Sequence, residues 1–221
     1  NFNEAQITQK ALVKIGAPAV PELIRLVTEN HRHAGYAIKT LAAMGPSSKR
    51  ALPALIKLGE NKSVEVPEGW TWNVPIRAIL FMSFAEMNWA SKELLSLLER
   101  VGADETETEQ IRGMAVRSLG GMDRDALPVL RVFLASPNKS IRSHAAAAIV
   151  TIEKSDGKSE SAARQEIIDQ YPFDENVPDY LANMKGTFNL GSLHGPTQKI
   201  KQLYRSRLSE KPDAQIAWQL A

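Results

Sequence analysis

The chain has 221 residues, 43% of them hydrophobic, and a formal net charge of +2. That length buries a substantial core in one or two domains, and so mild a charge balance does not demand a nucleic-acid partner. With no cysteine, disulfides, thiolate metal sites and a cysteine nucleophile are excluded, and no apolar run reaches the roughly 18 residues a membrane-spanning helix needs.

The first helical signal is ALVKIG at 11–16, which matches TLAAMG at 40–45 and ends on a glycine suited to a left-handed helix terminus. A phrase then recurs with drift: AVPELIRLV at 19–27, ALPALIKLG at 51–59, ASKELLSLL at 90–98 and ALPVLRVFL at 126–134. Its anchors are Pro21, Pro53, Lys92 and Pro128, spaced by 32, 39 and 36 residues. Proline fits a first helical turn, where its missing N–H has no intrahelical partner. Two residues past each anchor stand Leu23, Leu55, Leu94 and Leu130, and five past it Leu26, Leu58, Leu97 and Phe133. The spacing predicts one apolar stripe per helix.

A second helix follows each phrase and aligns from its C-terminal end at Met44, Met87, Met122 and Ile152. Three residues earlier come Leu41, Phe84, Leu119 and Ile149; six and seven earlier come Ile38 with Ala37, Phe81 with Leu80, Val116 with Ala115, and Ala146 with Ala145. Offsets of three, six and seven describe one helical face. Units of this length cannot bury that face alone, so a repeating phrase predicts stacked neighbours.

The Ala-x-Pro-x-Leu openings at Ala19, Ala51 and Ala126 and the Ile-Arg starts at Ile76-Arg77, Ile111-Arg112 and Ile141-Arg142 resemble a HEAT-repeat protein. The likeness is to the short HEAT-like repeats of phycobilisome lyases, and it covers about residues 5–153. The pattern is broken by His33-Ala34 in the first full unit and by Lys92 in the third. The resemblance implies an all-α, right-handed α-α superhelix, a HEAT-like solenoid, with second helices on the concave face. Where the repeat signature ends, the chain divides into residues 1–153, the repeats, and 154–221, a linker, an irregular segment and C-terminal helices that cap the stack or begin a further domain.

The period stretches in two places. Between Gly59 and Ile76 an insertion carries Trp70 and Trp72; between Leu98 and Ile111 another carries Asp104, Glu105, Glu107 and Glu109. Both fall at the same kind of turn, so a regular stack brings them to one edge, and inserted loops are common binding elements of such arrays. Tryptophan suits a contact hot spot, although the indoles equally suit plugging the gap opened between repeats. The acidic run lacks the spacing and turn glycine of a calcium loop and suits the N-terminus of the helix it precedes. Arg77, Arg112 and Arg142 form a column that reads either as an internal ladder to carbonyls and acidic groups or, with Lys39 and Arg117, as a basic stripe. Met82 and Ala147 interrupt that stripe.

After Glu153 the repeat signature stops. A polar linker leads to a short helix over about 162–170, then to an irregular segment over 171–196, then to a basic amphipathic stretch with Ile200, Leu203, Tyr204 and Leu208 at helical spacing. Capping of the stack is the first expectation for it, with an acidic partner, nucleic acid or a membrane surface as alternatives. No P-loop, dinucleotide fingerprint, nucleophile elbow or metalloprotease helix occurs. No enzyme, cofactor or metal is therefore expected.

The sequence reading is a non-catalytic protein-interaction or scaffold module with an unidentified protein partner. Its candidate contact residues are Trp70, Trp72, Asp104, Glu105, Glu107, Arg77, Arg112 and Arg117. The alternatives are a nucleic-acid-binding, DNA-glycosylase-like repeat protein with a basic concave face, and a bilin-lyase-type chaperone. The absence of cysteine and a first residue other than Met lean toward an extracytoplasmic, processed or excised segment, with the cytoplasm as alternative.

Overall fold

A computed structural model describes residues 2–65, 74–87 and 89–170, and these are helical, without a strand among them. Trp70, Trp72 and the C-terminal segment from 171 onward lie outside the described residues. Among the described residues ten α-helices run in order: α1 Phe2–Ile15, α2 Val20–Thr28, α3 Ala34–Ala43, α4 Leu52–Glu60, α5 Ile76–Met87, α6 Lys92–Ala103, α7 Glu109–Ser118, α8 Leu127–Leu134, α9 Lys139–Ser155 and α10 Glu160–Gln170.

The helix starts explain both the recurring proline and its exception. Helices α2, α4 and α8 continue directly out of 3-10 turns, carry proline in the first turn and have no side-chain cap. A rigid φ near −65° holds the entry where no cap does. In α6 the proline is replaced by Lys92, and Ser91 caps instead, its Oγ accepting from the Leu94 N–H at 3.1 Å. Thr108 caps α7 and Asn138 caps α9 in the same way, accepting from the N–H of Ile111 and Ile141. At the ends of α1 and α3, Gly16 and Gly45 take φ of 71° and 57°, a region open to glycine at no steric cost.

Packing is both within and between pairs. Helix α2 packs on α3, α4 on α5, α6 on α7 and α8 on α9, while α3 packs on α5, α5 on α7 and α7 on α9. Helix α1 precedes the first pair and packs on α3; α10 packs on α9. The division expected after residue 153 falls inside the last turn of α9, and Ala163 and Ile167 of α10 are buried.

Every residue of the aligned second-helix columns, from Met44, Met87, Met122 and Ile152 back to Ala37, Leu80, Ala115 and Ala145, is buried. The first helices bury Leu97 and Phe133 of the expected column and a neighbouring position in every helix. Leu26 and Leu58 are only half-buried, whereas the positions one further on, Val27, Gly59, Leu98 and Leu134, are buried. These lie four residues after Leu23, Leu55, Leu94 and Leu130, and i to i+4 residues sit almost directly above one another on a helix. Ala90, placed in the alanine column by its spelling, is exposed; Trp89 beside it is buried and donates its indole N–H to the Gly45 carbonyl at 3.2 Å.

Candidate interaction site

Two places gather functional-looking side chains. The first is the edge where the two insertions meet. Arg77, at the start of α5, forms a bidentate pair with Glu107 of the α6–α7 loop at 2.7 and 2.9 Å, and the two side chains are 8% and 6% exposed. The same guanidinium donates twice to the Gly59 carbonyl at the end of α4, at 3.1 and 2.8 Å, and lies over the Phe81 ring at 5.7 Å. Its donors are directed at backbone and carboxylate, the arrangement in which a buried charge is tolerated.

Arg112 repeats the motif on the Gly102 carbonyl at 3.1 Å and Arg142 on the Ser136 carbonyl at 2.6 Å. The arginine column thus ties the starts of α5, α7 and α9 to the ends of the first helices before them, α4, α6 and α8, whereas α3 has no such arginine. Carbonyls there lack intrahelical partners, so a cation satisfies them. Gly102 also allows the close approach of the neighbours: a Cβ on it would lie 2.7 Å from Val116 Cγ2 and 2.8 Å from Phe133 Cζ.

Lys62 of the first insertion reaches the second, its Nζ contacting Asp104 Oδ2 at 2.5 Å and Thr106 Oγ1 at 2.7 Å. The Lys62 ammonium and the hydroxyl and N–H of Thr106 hold the Asp104 carboxyl far below the usual carboxylate range. Of the acidic run, Asp104 and Glu107 are therefore engaged internally, while Glu105 and Glu109 are exposed. Among the described residues no cluster of His, Asp or Glu side chains converges to hold a metal ion, and no helix is long and apolar enough to cross a membrane.

The second place is a groove of about 520 Å³ lined by α5, α7 and α9. Met82, Ala85 and Met114 lie among its lining residues together with Glu86, Arg117 and His144. Met82 is 46% exposed, a large apolar side chain left in water. His144 is half-buried and rests on α7 where Gly113 has no side chain; a Cβ there would lie 2.5 Å from the ring's Cδ2 and 2.7 Å from Nε2. Desolvation holds the imidazole pKa below its ordinary range, Arg117 adds to the effect, and Glu109 opposes it. Arg117 makes no ion pair among the described residues and is exposed.

Of the residues singled out from sequence, the structure brings Arg77 to Glu107 and places Asp104 on Lys62, sets Arg112 on a carbonyl, and leaves Arg117 and Glu105 on the surface. Met114, His144 and Glu86 were not read from sequence as contact residues. The sequence did carry a signal for their neighbours Met82 and Arg117: the aligned column Lys39, Met82, Arg117, Ala147 is apolar in one unit and cationic in the next, which a core position is not. Compared with known proteins, the chain matches no protein-family model and no curated relative.

Proposed function

We propose that the chain is a HEAT-like stack of helical hairpins that serves as a non-catalytic protein-interaction module, with its partner seated in the groove of α5, α7 and α9. The stacked reading is supported by the packing of α3 on α5, α5 on α7 and α7 on α9, each with its own first helix behind it. The observation that carries the interaction reading is the exposed thioether of Met82 beside Met114, in a groove rimmed by Glu86 and Arg117. Methionine is unbranched and polarisable and adapts to varied surfaces, and a charged rim around an apolar floor is the usual anatomy of a protein contact.

The arginines at 77 and 112 are engaged with internal carbonyls, so a basic track for phosphates draws no support from them. A photo-crosslinking amino acid placed at Met82 or Arg117, with Lys57 on α4 as the control position, tests the reading in native extract. Discrete adducts from the two groove positions, absent at the control, are expected. Adducts of equal pattern at all three positions, or none at the groove, would overturn it.

A further inference from the structure

We infer that the joint between α7 and α9 is a proton-sensitive contact: the neutral imidazole of His144 holds it closed from a seat on Gly113, and protonation releases the ring into the groove. The inference does not rest on the docking of a protein partner. Helices α7 and α9 pack on each other, and Gly113 is buried in the middle of α7. His144 of α9 fills the space left by the missing side chain, since a Cβ on Gly113 would lie 2.5 Å from the ring's Cδ2 and 2.7 Å from Nε2. The ring makes no hydrogen bond among the described residues, so packing and not polar pairing keeps it there. Its Cδ2–Nε2 edge faces helical backbone whose polar groups bond within α7. An imidazolium has two N–H donors, and in this seat one of them would be buried without an acceptor.

The charges are set around that seat. Glu109, Gly113 and Arg117 stand four residues apart and so line up along one face of α7, with the ring over the middle of the three. Burial acts most strongly on the ring and disfavours its charged form, Arg117 acts in the same direction, and Glu109 opposes them. Glu86 of α5 is the other charged group lining the groove. On α9 itself Arg142 is directed at the Ser136 carbonyl, and Lys139 lies outside the lining. Arg131 of α8 and Glu160, Arg164 and Glu166 of α10, the other helices packed on α9, do not line the groove either. A released imidazolium therefore meets water and the carboxylates of Glu86 and Glu109. Because the folded chain holds the ring's pKa below its ordinary value, the open form binds the proton more readily. The closed joint is fully stable above the ordinary histidine value and weakens as pH falls through it toward the lowered one.

The test uses the whole chain, with the histidine ring signals followed by NMR against pH and amide exchange in α7 corrected for its intrinsic pH dependence. His144 should titrate below the ordinary histidine value, and the Gly113 and Met114 amides should shift and lose protection with the same midpoint. Arg117→Gln should raise that midpoint and Glu109→Gln lower it. His144→Gln should remove the step at Gly113 while the titrations of His31 and His33, whose rings lie 5.0 Å apart in another turn, persist. Gly113→Ala closes the seat, so His144 should return to its ordinary midpoint and exchange in α7 should no longer follow it; should that variant not fold, the two charge variants and His144→Gln decide. An ordinary midpoint for His144 in the unaltered chain would overturn the inference. So would a step at Gly113 that survives His144→Gln, or a His144 titration that leaves the Gly113 amide unchanged.

Discussion

Arg77 shows how one side chain settles several structural needs at once. Its guanidinium meets the end of α4 through Gly59, the α6–α7 loop through Glu107 and the ring of Phe81, while its own helix begins one residue earlier at Ile76. Removing one member of a buried, hydrogen-bonded pair leaves an uncompensated charge, so Glu107→Ala is expected to cost about 3 to 5 kcal/mol in urea unfolding. The double change Arg77→Met/Glu107→Leu removes both charges and should cost far less. A loss from Glu107→Ala below about 1 kcal/mol, the range of exposed pairs, would show that the contact is screened in solution. The Lys62–Asp104 pair, with its lysine half-exposed, belongs in that lower range. The reading of this edge as a free contact surface thus changes at Asp104 and Glu107, which stabilise the junction of the two loops. A sequence lists four acids between 104 and 109 and does not say which of them meets a cation from 30 or 42 residues away.

Among the helices, two ways of starting replace one another. Where proline opens the helix the entry is set by the backbone ring; where Lys92 stands in its place a serine hydroxyl does the work. Ser91→Ala is therefore expected to lower stability by about 1 kcal/mol, as loss of an N-cap does, and to raise amide exchange in the first turn of α6. The same exchange measurement on Pro53→Ala should show little change at the start of α4, because that helix has no side-chain cap to lose and continues from a 3-10 turn. If the two variants fray their helices equally, caps and prolines are not the alternatives proposed. The element scale was the most legible in the sequence. Helix-period spacing places every second-helix column residue in the core, and in the first helices it holds for Leu97 and Phe133 but leaves Leu26 and Leu58 half-buried, because the i to i+4 face turns Val27 and Gly59 toward α3 and α5.

For the molecule as a whole, coupling between neighbours is the consequential property. Ala163 and Ile167 of α10 are buried against the last pair, and ion pairs of Lys158 with Glu153 and Glu166 and of Lys154 with Glu160 fasten the connection. In the stack of hairpins proposed above, each unit would feel chiefly its neighbours. Ile167→Ala is therefore expected to cost about 2 to 4 kcal/mol locally, read as lost amide protection in α10 and the end of α9 with α1 to α3 unchanged. Uniform loss of protection along the chain would contradict the nearest-neighbour reading and point to one cooperative core. By itself the sequence determined the helices, their order and most of their buried faces, because these follow from periodicity within a dozen residues. Only the tertiary structure decided which charges are internal and where an open groove lies. Arg77 meeting Glu107, or Met82 sharing a cavity with His144, depends on how helices far apart in the chain are set side by side, and no local pattern encodes that distance.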